Sequence, residues 1–510
     1  MKSRTRRFCS QETSIVFFCF FISAILLFFT SKCSPLYPLN DWPDANVFLS
    51  AGKGMLEGKV MYRDLYDHKG PLLFALHALC ALVSADSFLG VWFLEIILFG
   101  LFLLIACKLI ALYANERIAF FSLTLLGAVL LTSISFQMGD SAEELALPMM
   151  LYPLYRLMIS LRRDDGQTTR WQLGITGFLL GCVFWLKFTL VGIPAAVCLM
   201  LAWLGLKQNG VRGALAHIGW MLLGFAAATL PWIVQYALQG GLLAMLKTYL
   251  YDNLFLYAGA AEPLTLPGQL KAICNSILSW ILDNPAYTLP LLAGAVWMLL
   301  GKRHSLTEKI TWVLCGFFGL ITVFFGGRYY LYYGFAFGAM VPLFFAVLGM
   351  QLADASSDKA APKQPSVALT CLLTAVLILL PIAASPFLSP NKPLSHPGRE
   401  EMMQYRFAAI VNQKEDATLL NYEFLDWGFY TAAGVSPHLK YYHLPNMPLE
   451  ELRSEQTRYV QEGLSDFVVT RRPFQEGLGE LYTLVDTCPA TEGLWFTDVY
   501  LYQLTEQVEK

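Results

Sequence analysis

Apolar runs long enough to cross a bilayer recur through most of this chain, and no other feature restricts its fold as strongly. In hydrocarbon the backbone N–H and C=O groups find no water, so a spanning segment must satisfy them itself and is helical unless it closes a barrel. A crossing takes about 20 apolar residues. Eleven runs fit, near residues 13–30, 86–112, 117–138, 142–160, 171–188, 189–206, 214–238, 275–300, 308–325, 330–350 and 367–385. The composition agrees, with 56% hydrophobic and 15% charged residues, where a soluble domain carries about 25% charged. The chain is therefore expected to be a polytopic α-helical membrane protein.

A formal net charge of −2 leaves no electrostatic footprint for nucleic acid. The 11 cysteines are scattered, without a CxxC pair or zinc-ligand spacing, so neither a disulfide framework nor a structural metal is predicted. The start, MKSRTRRFCSQETSIVFFCFFISAILLFF, sets basic residues before an apolar run. No small-x-small cleavage pattern follows, and this reads as an uncleaved first helix.

Lysines and arginines near span ends set the orientation. Lys2, Arg4, Arg6 and Arg7 precede the first run. Arg117, Arg162, Arg163, Arg170, Lys207, Arg212, Lys302, Arg303, Lys309, Lys359 and Lys363 then fall on the same side of an eleven-span arrangement. That side is predicted to be cytoplasmic. The stretch from Asn40, residues 239–274 and the C-terminal tail are predicted outside, in a plasma membrane. Pro71 to Ser84 is apolar but too short to cross. With a helix over Asp44 to Glu57 it reads as interfacial, lying at or dipping into the outer surface. A crossing there would invert every later loop and put the basic residues outside. Residues 239–261, with Tyr249, Tyr251, Phe255 and Tyr257, read as a third interfacial helix.

Residues 386–510 change character and are rich in charge. A helix near 399–413, strands at 418–422, 439–444, 466–470 and 498–504, and a helix over 448–462 stopped by Gly463 predict a small α/β domain. Residues 1–385 form the membrane module, with 31–85 as its first outer loop. No nucleotide-binding glycine motif is present, and GKG at 52–54 lacks the phosphate-loop spacing.

The chemistry-bearing residues cluster in NDWPDANVFLSAGKGMLEGKVMYRDLYDHKGPLL, Asn40 to Leu73. Asp41 reads as a helix N-cap, and Asp44, in the first turn, suits either the helix dipole or a general base. YRDLYDHKGP reads either as a self-neutralising loop or as a phosphate site. In the second reading Lys69, just before Gly70-Pro71, is a compact cation for phosphate, with Arg63 and His68 as further candidates. GDSAEELALPMM places Asp140, Glu143 and Glu144 at the start of a span, where acids are costly unless they face protein or water. Lys187, near the end of another span, reads as snorkelling to the interface. GGRYYLYYG adds Arg328 as a second phosphate candidate among belt tyrosines.

These blocks, taken in order, resemble the bacterial GT-C class of membrane glycosyltransferases, the group related to protein O-mannosyltransferases and the lipid A aminoarabinose transferase. The resemblance covers the first 190 residues best, and YRDLYDHKGP is its most specific part. It implies a sugar carried on a polyprenyl phosphate, an acceptor that is a glycan, lipid or protein, and transfer with inversion. It implies Asp44 as the base on the acceptor hydroxyl and Lys69 as the contact to donor phosphate. Glu143 and Glu144 match an acidic second-loop position, and Asp41 supports the first loop. Some members of the class use a divalent metal, Mg or Mn, which the clustered carboxylates would hold. The late edge departs from the pattern, with Tyr329-Tyr330 where many relatives have His-Tyr.

Physical logic points the same way. Nucleotide sugars are cytoplasmic, so an outer-face transferase needs a donor activated by its lipid. The competing reading is a transporter or flippase of a lipid-linked glycan, but transporters gather their polar residues near the midplane. A surface-polysaccharide polymerase would carry its large outer loop late in the chain. A non-catalytic scaffold would leave the first-loop charges unexplained.

Overall fold

The computed structural model describes residues 2–162, 167–257, 265–357, 367–392, 398–490 and 497–505, with the backbone alone for 2–11, 353–357 and 367–371. Arg163, Lys359, Lys363 and the end of the 239–261 stretch lie outside the described residues. In chain order the helices begin with α1 Lys2–Thr30, α2 Pro43–Leu56, α3 Pro71–Val83, α4 Leu89–Tyr113, α5 Glu116–Leu131 and α6 Ala142–Arg162. They continue with α7 Arg170–Leu186, α8 Gly192–Leu238, α9 Leu242–Met245, α10 Leu266–Asp283, α11 Pro285–Leu300 and α12 Leu306–Phe324. The last five are α13 Pro342–Ser357, α14 Val367–Leu388, α15 Met403–Val411, α16 Phe429–Ala433 and α17 Glu450–Gln461. The strands are β1 Leu419–Tyr422, β2 Phe467–Thr470, β3 Tyr482–Cys488 and β4 Val499–Leu504.

The chain divides into two compact units. The first comprises Met1–Ser31, Trp92–Pro231 and Thr265–Pro393. It is helical, and α6 packs on α7, α5 on α14 and α11 on α13. Five helical segments among the described residues are long and apolar enough to span: Glu12–Thr30, Leu89–Tyr113, Gly192–Leu238, Leu306–Phe324 and Leu331–Leu352. Their outward faces suit lipid rather than water. Phe17 on α1 and Leu222 on α8, for example, are 71% and 61% exposed, as expected where hydrocarbon replaces solvent. The chain is a multi-pass membrane protein.

Several predicted runs differ in detail. The pair 189–206 and 214–238 forms one helical segment, α8, bent where Asn209 and Gly210 leave helical geometry and Gly210 takes φ +62°. The run at 275–300 is divided at Asn284, because Pro285 starts α11 and cannot continue α10. Residues 330–350 open as a 3₁₀ helix over Leu331–Met340 before α13. At the start of α12, the Ser305 hydroxyl accepts from Glu308 N (3.2 Å) and the Glu308 carboxylate from Ser305 N (2.9 Å). This capping box also fixes Glu308 where it meets Arg162 at 2.8 Å.

The second unit comprises Lys32–Val91, Trp232–Leu264 and Leu394–Lys510. A four-stranded sheet in the order β1-β2-β4-β3 forms its α/β part. β1 and β2 are parallel, in register from Leu419↔Phe467 to Tyr422↔Thr470. A parallel pair needs a crossover, which α17 supplies. β4 runs antiparallel to both β2 and β3. β1 and β2 are buried along their whole length, whereas edge strand β3 is buried only at its two ends, Tyr482 and Cys488. The sheet packs through Leu420, Val468 and Tyr502 onto Leu452 and Tyr459 of α17. Residues 439–444, expected as a strand, are irregular. Their backbone groups are used elsewhere: the Lys440 carbonyl accepts from Tyr66 N (2.9 Å) and Leu444 N donates to the Phe424 carbonyl (2.9 Å). The expected 239–261 helix is α9 followed by a π-helix over Leu246–Tyr257.

Candidate functional site

Asp44 and Lys69 are brought together by the way two helices begin. Pro43 is the first residue of α2, where a missing N–H costs nothing. Asp41 does not cap this helix. Trp42 occupies the cap position in extended geometry without a side-chain bond, and Asp41 instead pairs with Lys32 at 2.5 Å. The helix entry is held by amides: Asn40 Oδ1 accepts from Trp42 N (3.0 Å), and Asn46 Nδ2 donates to the Asn40 carbonyl (2.6 Å). Asp44 then stands in the first turn, where the helix dipole favours its charge.

Pro71 starts α3 in the same manner. Just before it, Asp67 Oδ1 accepts from Lys69 N (2.9 Å), closing a tight turn. Tyr62, one turn earlier, has φ +69°, a strained value for an aromatic residue. Its ring is buried and its hydroxyl donates to the Lys69 carbonyl (2.8 Å). With the main chain so fixed, Lys69 Nζ lies 3.8 Å from Asp44 Oδ2, both side chains being largely but not wholly enclosed. The ammonium also sits 5.7 Å from the centroid of Phe48. Burial raises the carboxyl of Asp67, an effect that Asp44 reinforces and Lys69 opposes.

Neighbouring candidates turn elsewhere. Arg63 is exposed, paired with Asp64 (2.7 Å) and donating to the Gln239 carbonyl (2.5 Å). His68 stacks on Tyr257 with ring centroids 5.2 Å apart, and its carbonyl accepts from Asn253 Nδ2 (2.6 Å). The 140 Å³ cavity of this unit lies beside the Lys32–Asp41 pair, lined by Tyr37, Asn40, Phe88 and Arg399.

The first unit holds a second set of polar groups. Lys187 does not snorkel to an interface. It is buried, its ammonium 2.6 Å from Glu143 and 4.2 Å from the centroid of Tyr333. An acid within reach inside the protein replaces the water it would otherwise seek. Gly139 (φ +87°) and Asp140 (φ +68°) make a left-handed turn before α6. A Cβ on Gly139 would lie 2.3 Å from Glu95 Oε1 and 2.4 Å from Ser31 Oγ, so only glycine fits. The turn aims Asp140 N at Glu95 Oε1 (2.9 Å) and Glu144 Oε2 (3.0 Å), while the Ser31 hydroxyl donates to Glu95 (2.7 Å). Glu95, in the second turn of α4, was missed by sequence reading. Its signal was a lone acid inside an apolar span. Arg328 is half-buried between α12 and the 3₁₀ helix, and the adjacent Tyr329 hydroxyl donates to Asp283 (2.9 Å). Among the described residues no group of three or more His, Cys, Asp or Glu is arranged to hold an ion. Glu95 and Glu144 converge on a shared N–H instead.

No protein-family model matches the chain, and no curated protein does. Solved structures do. ArnT from Cupriavidus metallidurans, determined bound to undecaprenyl phosphate, aligns with a TM-score of 0.60 at 11% identity over 98% of both chains. The archaeal oligosaccharyltransferase AglB from Archaeoglobus fulgidus, in complex with an inhibitory peptide and a dolichol-phosphate, aligns with a TM-score of 0.45 at 14% identity. That alignment covers 90% of this chain and 69% of AglB. The likeness to ArnT is one of fold, and the fold is that of the GT-C class.

Proposed function

We propose that this protein is an integral-membrane glycosyltransferase that moves a sugar from a polyprenyl phosphate to an acceptor hydroxyl on the outer face of the plasma membrane. The observation that carries the reading is the Asp44–Lys69 pair, an acid at a helix start facing a cation 3.8 Å away on a rigid turn. The ArnT fold over nearly the whole chain supports it. Asp44 takes the proton of the acceptor hydroxyl. The oxygen attacks the anomeric carbon from the face opposite the phosphate, the carbon–oxygen bond to phosphate breaks, and the configuration inverts. The lipid phosphate leaves as an anion that the Lys69 ammonium stabilises. Arg63 and His68 of the same loop are the further phosphate candidates, and Asp41 supports the acceptor side. In this reading residues 1–385 form an eleven-span catalytic module with a cytoplasmic N-terminus, and 386–510 are extracytoplasmic.

The test is transfer in membranes supplied with labelled polyprenyl-phosphate sugars and an acceptor panel, wild type against Asp44→Asn, with protein level and topology checked in both. Loss of a general base lowers the rate by about 100-fold or more. Equal transfer by the variant refutes Asp44 as base. No transfer by wild type with any donor and acceptor refutes the enzyme and favours a transporter of a lipid-linked glycan.

A further inference from the structure

His443 lies about 375 residues from Lys69 in sequence and was not a candidate there. It belongs to the irregular segment 440–444, whose consecutive residues engage both pieces of chain that carry the Asp44–Lys69 pair. The Lys440 carbonyl accepts from Tyr66 N (2.9 Å). The Tyr442 hydroxyl donates to the Val47 carbonyl on α2 (3.1 Å). His443 Nε2 lies 3.8 Å from Asp67 Oδ2, the oxygen opposite the one that receives Lys69 N. The imidazole is completely buried, yet neither ring nitrogen makes a well-formed hydrogen bond among the described residues. The Tyr66 carbonyl and Asp67 are the acceptors beside it. Burial, with the charge of Lys69 adding to it, drives its pKa down to about 3, so the ring is neutral and offers a single N–H. A buried polar ring without a good partner is costly and calls for a reason.

We propose that His443 is a positioning residue for phosphate binding: its Nε2 faces, at 3.8 Å, the Asp67 carboxylate that fixes the Lys69 turn and aims the ammonium. The Nε2–H bond to Asp67 forms as the phosphate draws Lys69 forward and the 3.8 Å gap closes, and in this way the C-terminal α/β part completes the phosphate site. This rests on the proposed function, because the anion is the lipid phosphate of that reading.

The experiment measures undecaprenyl phosphate affinity of the full-length protein in detergent micelles, together with thermal unfolding. It compares wild type, His443→Leu, His443→Gln and His443→Asn. A glutamine amide reaches the position of Nε2, and an asparagine amide only that of Nδ1. His443→Leu and His443→Asn are expected to bind about tenfold more weakly, and His443→Gln within about threefold of wild type. If leucine does not fold, the Gln-against-Asn difference carries the comparison. In turnover the donor KM rises in the weak variants while the acceptor KM holds. Equal affinity in all variants overturns the proposal, as does equal loss in Gln and Asn with a parallel fall in thermal stability. No binding by wild type overturns the functional reading and this proposal with it, an outcome distinct from binding that ignores residue 443.

Discussion

The Lys187–Glu143 pair makes a sharp prediction about stability. At 2.6 Å, two unit charges attract by about 6 kcal/mol at an effective dielectric constant near 20. The cost of removing both from water offsets much of this. What remains is asymmetric. Glu143→Gln leaves a buried ammonium with only the rings of Tyr332 and Tyr333 facing it, and Lys187→Met leaves a buried carboxylate. Each single change is expected to cost about 3–5 kcal/mol. The tyrosine rings recover up to about 2 kcal/mol of the loss in Glu143→Gln. The double variant Glu143→Leu/Lys187→Met removes both charges and should lie within about 1–2 kcal/mol of wild type. The coupling between the sites is then at least about 2 kcal/mol, well outside additivity. The assay is unfolding in dodecyl maltoside micelles titrated with SDS, followed by circular dichroism. Single variants within about 1 kcal/mol of wild type, with losses that add, would mean that the lysine head reaches water and the buried pair does not form.

Two further outcomes follow from particular side chains. Lys53 is fully buried on α2, its ammonium donating to the carbonyls of Tyr430 (3.1 Å) and Val435 (2.8 Å), and burial lowers its pKa to about 8 despite the opposing charge of Asp426. Below pH 8 it is charged in both states. Between pH 8 and 10.5 the folded protein releases the proton and the unfolded chain keeps it. Wild type should therefore gain about 3 kcal/mol relative to Lys53→Met as pH rises through that window, and a flat difference refutes the burial. In the first unit, Glu95→Leu leaves the Ser31 hydroxyl without its acceptor and should cost about 2–3 kcal/mol, whereas Glu95→Gln, which keeps an acceptor, should cost under about 1 kcal/mol in the same unfolding assay.

The parts legible in the sequence were those with a local cause. Pro43 and Pro71 announced the starts of α2 and α3, because a residue without an N–H suits the first turn. The strands at 419–422, 467–470 and 499–504 were readable from short β-branched and aromatic runs. β3 was not, since TLVDTC mixes polar and apolar residues as an edge strand must. Residues 439–444 looked like a strand, yet their backbone bonds are divided between Tyr66 on one hand and Asn421 and Phe424 on the other and form no regular ladder. Lys187 and Asp41 were read from their immediate surroundings, whereas their partners, Glu143 and Lys32, were assigned by tertiary packing. Asp44 and Lys69 were identifiable singly, but their separation of 3.8 Å depends on the turn at Asp67 and the strained Tyr62. Glu95 and His443 carry no motif. Only their surroundings in the fold set them apart.

Helix α2 carries a polar stripe, Asn46, Ser50 and Lys53, spaced four and three residues apart so that all face one way. The Asn46 amide nitrogen is held locally, by the carbonyls of Asn40 and Trp42, but the other hydrogen-bond partners of these side chains come from far down the chain. Thr431 donates to Asn46 (3.0 Å), Ser50 donates to Asp426 (3.1 Å), and Lys53 reaches carbonyls as much as 382 residues away. At about 5–20 residues per second, the ribosome needs roughly 20–75 s after making α2 to supply them. During that interval the Ser50 hydroxyl and the Lys53 ammonium lack the partners they have in the folded protein. A product truncated before residue 426 would carry every apolar run and the whole Asn40–Leu73 block, yet its α2 would lack the distant partners of Ser50 and Lys53.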